Sequence, residues 1–275
     1  MRLYRTATRV IIENGGRFAA LTEDWDVIVN HEQLHEFLQT AFASAPAIEA
    51  IDEPILAPIG QQEVWAAGVT YYRSRTARIE ESHDAGGGTF YDRVYDAPRP
   101  ELFFKAAPWR ARGPGDAVRI RRDARWNVPE PEIALCINSR GTIVGYTLGN
   151  DMSSRDIEGE NPLYLSQAKI YDGACALGPA LLVTDDPLAP TTSIDIRVTR
   201  HGEVAFSGNT TFSQLRRTPR ELVDYLYRET SFPNGCILLT GTGIIPPSDF
   251  TLQHGDEIAI TVPSIGVLTN FVGGE

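Results

Sequence analysis

The stretch PEPEIALCINSRGTIVGYTLGND, residues 129–151, decides the fold. Apolar runs at 133–137 and 143–148 flank Ser139-Arg140-Gly141-Thr142, residue types that close a turn. Two antiparallel strands follow. Pairing Ile133 with Leu148 gathers Ile133, Leu135, Ile137, Val144, Tyr146 and Leu148 on one face, leaving Ala134, Cys136, Gly145, Thr147 and Gly149 on the other. A slip of one residue would mix the two sets, so the register is specified. Strand side chains alternate, which puts Glu130 and Glu132 on the small-residue face. The same register sets Glu130 opposite Asp151, with paired side chains about 5 Å apart. Three carboxylates this close repel one another, and burying them unpaired is costly. A divalent cation between them is the economical answer. With oxygen ligands only and no neighbouring Cys or His pair, Mg2+ or Mn2+ suits the site better than zinc. The alternative is a Glu-Pro-Glu strand end standing in solvent, and convergence on Asp151 argues against it.

Outward from this hairpin, short β-branched runs separated by Gly and Pro predict further strands at 64–69, 102–104, 117–120, 180–184, 194–198, 237–240 and 258–262. The expected class is α+β and β-rich. A helix over 219–229 is announced by Thr218, Pro219 and Glu221, a capping box with proline in the first turn. Towards the N-terminus, 2–11 and 17–21 read as two strands around Asn14-Gly15-Gly16, and 31–43 as a helix. The proline-containing stretch 53–59 then suggests a boundary, with a small α/β appendage at 1–57 and a main domain at 58–275. His31 and His35 have the spacing of metal ligands but read as solvated side chains on a surface helix.

The chain has 275 residues, 42% hydrophobic and 22% charged, enough apolar material for a core. A net charge of −11 argues against nucleic acid or an anionic membrane as partner, because both are polyanions. Cys136, Cys175 and Cys236 form no CxxC pair and read as reduced thiols. Residues 1–10 have no apolar signal core, and no run approaches the roughly 18 apolar residues of a membrane span. A soluble, cytoplasmic protein is expected.

Several other residues are candidates for the site. Glu101, Phe103 and Lys105 fall on one face of the strand near 102–104. Lys169 precedes a small-residue run, and its surroundings leave it open between a surface residue and a catalyst. Thr240-Gly241-Thr242-Gly243 offers hydroxyls and close backbone approach to a carboxylate or oxyanion. Residues 74–90 form a charged piece running into Gly86-Gly87-Gly88, either a lid or an ordinary surface loop.

Taken together, Pro129 to Glu132, Gly145-Tyr146 through Asp151, Ser154-Arg155-Asp156, Lys169 with Gly178-Pro179, Thr240-Gly241-Thr242 and Gly255-Asp256-Glu257 resemble the fumarylacetoacetate hydrolase (FAH) superfamily from about residue 64 onward. Gly68-Val69-Thr70-Tyr71, Arg99-Pro100-Glu101 and the run from Glu160 to Tyr171 bring the chain nearest to the branch that dehydrates 2-keto-3-deoxy sugar acids. The resemblance implies an FAH-type mixed β-roll catalytic domain and a homodimer or homotetramer. It further implies Mg2+ (Mn2+ possible) on Glu130, Glu132 and Asp151, with Lys169 and Glu101 as the acid-base pair. A 2-oxoacid would be the substrate, contacted by Ser74, Lys105, Thr240 and Thr242. Family hydrolases commonly carry a water-activating histidine shortly after a Gly-x-x-Tyr segment. Here Ser74 stands in its place, with His83 the nearest substitute in sequence. That favours dehydration of 2-keto-3-deoxy-D-arabinonate or a similar pentonate to 2,5-dioxopentanoate, in pentose catabolism, over an acylpyruvate hydrolase, an oxaloacetate decarboxylase or a keto-enol isomerase. The alternative from another class is a non-catalytic, metal-stabilised binding module.

Overall fold

The computed structural model describes residues 1–71 and 93–273. Ser74, His83 and the stretch 74–90 therefore lie outside the described residues. In chain order the strands are β1 (Arg2–Arg5), β2 (Val10–Asn14), β3 (Arg17–Leu21), β4 (Ala47–Ile48), β5 (Glu63–Gly68), β6 (Glu101–Ala106), β7 (Ala111–Arg112), β8 (Ala117–Val118) and β9 (Asn127–Val128). They continue with β10 (Pro131–Ile137), β11 (Ile143–Asp151), β12 (Ser153–Ser154), β13 (Cys175–Leu182), β14 (Ser193–Arg200), β15 (Glu203–Thr211), β16 (Cys236–Leu239), β17 (Glu257–Val262) and β18 (Gly266–Val272). The helices are α1 (Trp25–Val29), α2 (Leu34–Ser44), α3 (Arg155–Glu160), α4 (Leu165–Lys169) and α5 (Pro219–Leu226).

The main sheet runs β4-β3-β2-β1-β13-β11-β10-β16-β5-β6, with β7 added alongside β13. A second sheet, β15-β14-β17-β18-β8, packs on it. Most pairs are antiparallel, while β16 with β5, β13 with β7 and β18 with β8 are parallel. The β-rich α+β expectation holds. The central strands read apolar on both faces because both are covered. One face of β10 and β11 sends Ile133, Leu135 and Leu148 into a core shared with Ile196, Val198, Ile258, Ile260 and Leu268 of the second sheet. The other sends Ala134 and Cys136 into a core with Trp25, Ile28, Leu34 and Leu38 from α1 and α2. Each such buried aliphatic side chain contributes about 1.5–3 kcal/mol. Residues 1–57 thus share the main sheet and one core with the rest, β1 pairing with β13 through Arg2–Leu182 and Leu3–Leu181.

The central register is the expected one, Glu132 pairing with Gly149 and Ile133 with Leu148. It slips at the turn end, where Ile137 pairs with Ile143 instead of Val144. Val144 therefore turns to the opposite core from the one its alternation predicts. The strand expected over 2–11 is two strands, broken where the Thr6 hydroxyl donates to the Arg9 carbonyl (2.9 Å) and accepts from the Arg9 N–H (3.2 Å). This local turn competes with extended backbone. Helix α5 starts as expected, Thr218 accepting from the Glu221 N–H at 3.2 Å. The three cysteines are free and buried, and burial pushes the Cys136 and Cys175 thiols up to about 12. His35 pairs with Asp185 (2.5 Å) and His31 stacks on Phe37, so the two do not form a metal site. Among the described residues no helix is long and apolar enough to cross a membrane.

Candidate active site

The ladder across the sheet explains where the polar groups meet. Glu101 pairs with Gly68, Ala66 with Leu239, and Leu239 with Ala134. By alternation Glu101, Gly68 and Glu132 stand on one face at one end of the sheet. The Gly241 backbone follows β16 to the same place, its N–H donating to Glu132 Oε2 at 2.6 Å. On the neighbouring strand the Asp151 N–H donates to the Glu130 carbonyl at 3.0 Å, closing the hairpin that brings both carboxylates together. A small pocket here is lined by Gly68, Phe103, Glu130, Glu132, Asp151, Arg155, Lys169 and Thr242, among others.

Glu130, Glu132 and Asp151 each present an oxygen within 4.8 Å of the others, and all three are buried. Burial pushes the Glu132 carboxyl well above the usual carboxylate range, reinforced by the charges of Asp151 and Glu130. Three all-oxygen ligands in one buried cluster, one of them reluctant to ionise without a cation, fit a hard divalent ion. Among the described residues this is the one such cluster.

The protein's own cations are arranged around it in order. Lys169 Nζ donates to Glu130 Oε2 at 2.8 Å, Asp151 Oδ2 at 3.0 Å and Ser153 Oγ at 2.5 Å. Its ammonium also lies 5.9 Å from the centre of the Phe103 ring. Outside this inner group, Arg155 Nη2 holds the other Glu130 oxygen at 2.7 Å, and Lys105 pairs with Asp151 Oδ1. Glu130 and Asp151 each turn one oxygen inward to Lys169 and one outward to a fixed cation. Local sequence sets this up: Asn161 caps the turn at Pro162–Tyr164 by accepting from the Leu163 N–H (3.0 Å), and α4 follows directly, ending on Lys169.

Glu101 lies against Gly68, which lines the pocket. A methyl group added to Gly68 would lie 2.1 Å from Glu101 Oε2, so the carboxylate rests directly on this glycine. We expect Gly68→Ala to push the carboxylate aside, lowering turnover by at least tenfold while the melting temperature shifts little, since the flexible end of a side chain yields first. Steady-state kinetics with a thermal melt checks this, and undiminished turnover would detach Glu101 from the chemistry.

Thr242 lines the pocket, with its hydroxyl accepting from the Ile244 N–H at 3.1 Å. Thr240 is fully buried and donates to the Ile133 carbonyl at 2.8 Å. Lys105 is buried and donates to the Met152 and Lys169 carbonyls. The Gly241 N–H makes the close backbone approach to a carboxylate that its sequence suggests, whereas the contacts of Arg155 and Ser153 have no counterpart in the reading of single residues. One signal was available for Arg155: repelling carboxylates call for a positive charge, and this is the first one after Asp151.

A family model described as fumarylacetoacetate (FAA) hydrolase C-terminal matches residues 68–273. The chain belongs to this family. It is 44% identical over 255 residues to a probable 2-keto-3-deoxyxylonate dehydratase of Haloferax volcanii, covering 92% of this chain and 81% of that one. It is also 44% identical over 219 residues to the 2-dehydro-3-deoxy-D-arabinonate dehydratase of Saccharolobus solfataricus, covering 79% and 74%. A solved structure of 2-keto-3-deoxy-D-arabinonate dehydratase complexed with magnesium and 2,5-dioxopentanoate superposes with a TM-score of 0.86 at 34% identity, over 100% of this chain and 99% of that one.

Proposed function

We propose that the protein is a hydro-lyase that dehydrates a 2-keto-3-deoxy sugar acid, 2-keto-3-deoxy-D-arabinonate or a close pentonate, to 2,5-dioxopentanoate. The observation that carries this is the pocket itself. A lysine donates to two of three clustered carboxylates, and Glu101 lies against Gly68 in the same pocket's lining. A Mg2+ or Mn2+ ion held by Glu130, Glu132 and Asp151 would supply Lewis-acid polarisation of the substrate's C1 carboxylate and C2 carbonyl. Lys169, an ammonium that donates three hydrogen bonds, must first give up a proton and then takes one from C3. Ser153, the acceptor at 2.5 Å, keeps the amine aimed into the pocket. Glu101 protonates the departing C4 hydroxyl, which leaves as water. Loss of one C–H proton from C5 and of the C5 hydroxyl proton, with return of one proton each to C3 and C4, then turns the terminal carbinol into an aldehyde. Thr242 offers a hydroxyl to the substrate from the pocket wall.

The site residues named all lie between 68 and 242, so we assign the chemistry to residues 58–275 and a covering role to 1–57. We further propose a cytoplasmic homodimer or homotetramer, which light scattering on the purified protein tests. The decisive assay is incubation with 2-keto-3-deoxypentonates and Mg2+. A semialdehyde product is expected, and EDTA should abolish it. Cleavage of an acylpyruvate with every such acid left untouched would sink the dehydratase reading.

A further inference from the structure

We propose that Lys105 is a positioning residue, which locks the ligand Asp151 to the helix end that carries Lys169 and never touches the substrate. The strand geometry aims it there. Between β5 and β6, Trp65 pairs with Phe104 but Val64 pairs with Ala106, so Lys105 is the extra residue of a bulge. Bulges re-aim side chains, and this one sends an ammonium inward to complete burial.

An ammonium has three hydrogens, and the structure places three protein oxygens around this one. Lys105 Nζ donates to the Lys169 carbonyl at 2.6 Å and to the Met152 carbonyl at 3.0 Å, and pairs with Asp151 Oδ1. All three of these neighbours belong to the protein. The three oxygens come from two separate pieces of chain: Asp151 and the adjacent Met152 at the end of β11, and Lys169 at the end of α4. The Lys169 carbonyl is one of the groups that a helix leaves without an intrahelical partner at its C-terminus, and a lysine is a favourable donor to it. A single side chain thereby fixes both the outward oxygen of a metal-binding carboxylate and the backbone from which the proposed base projects.

This rests on the metal-assisted dehydration proposed above. The experiment measures Mn2+ affinity by electron paramagnetic resonance, together with kcat and KM, for wild type, Lys105→Met and Lys105→Arg. Loss of a hydrogen-bond partner behind a metal ligand costs about 10–100-fold in metal affinity or activity. Both variants are expected to lose kcat on that scale with KM for the sugar acid within about threefold of wild type, and Lys105→Met to bind Mn2+ about tenfold or more weakly. A rise in KM with kcat retained would make Lys105 a substrate contact and overturn the proposal. Unchanged kcat and Mn2+ affinity would reduce Lys105 to packing and overturn it equally. Should Lys105→Met not fold, the arginine variant still decides by its kcat against KM. A wild-type crystal structure with Mg2+ and pyruvate, which has no C4 hydroxyl to lose, decides independently. Lys105 Nζ is expected on the same three acceptors, and a hydrogen bond from it to pyruvate refutes the proposal. Wild-type Mn2+ binding and turnover sustain the dehydratase reading whatever the variants do, so the two stand or fall separately.

Discussion

Replacing Lys169 with methionine is expected to stop both dehydration and exchange of the substrate's C3 hydrogens with deuterated solvent. Methionine keeps the length of the side chain but has no basic nitrogen, and positioned acid-base groups contribute about 10²–10⁴-fold to rate. Replacing Glu101 with glutamine should block water loss to a similar extent while leaving exchange measurable. The C3 proton still departs to Lys169 in that variant, but the C4 hydroxyl goes unprotonated. NMR of the C3 position in both variants, with circular dichroism to verify folding, gives the answer. Wild-type exchange in a folded Lys169→Met protein would remove lysine as the base. Lys169 contacts both Glu130 and Asp151, so its loss also strips an inner cation from two buried carboxylates. Folding should therefore be assayed with Mg2+ present.

The second large effect concerns Glu132. Glu132→Gln should abolish high-affinity Mn2+ binding, by more than the about 10–100-fold expected for losing a group behind the ligands, and turnover should fall with it. Stability should move the other way or stay level. Burial and the two neighbouring carboxylates hold the Glu132 carboxyl above its usual range, so its ionised form is the disfavoured one in the metal-free protein. Glutamine removes that charge while its amide oxygen can still accept from the Gly241 N–H. Mn2+ titration paired with a melt in EDTA separates the two effects. Undiminished Mn2+ affinity in the variant would take Glu132 out of the cage.

The sequence made the hairpin legible because β10 and β11 carry two kinds of side chain on two faces, and only one register keeps them apart. The slip at Val144 was not, since it follows from how the turn closes rather than from alternation. Strand β15 escaped notice because the run EVAFSGNTT is mostly exposed or half-exposed on a sheet edge and has little apolar rhythm. Helix α1, five residues long, is too short for a period to show. The carboxylates of the site could be placed by local pairing. The cations that neutralise them could not, because Lys105, Arg155 and Lys169 arrive from three different elements, and only the folded chain says which carboxylate oxygen each one meets.

Strand pairing also constrains how the nascent chain acquires its site. Strand β1 has β13 as a neighbour, its partner residues lying far along the chain, Arg2 with Leu182 and Leu3 with Leu181. Strand β5, whose Gly68 lies against Glu101, is held on its inner side by β16, and the Gly241 N–H and Thr242 follow β16 directly. No emerging fragment ending before residue 242 can contain the complete pocket. Until then apolar strand edges stand unpaired, a condition that slows folding and invites association between incomplete chains. Ribosome-bound intermediates of this protein should accordingly depend on holdase chaperones until β16 and the residues that follow it have emerged.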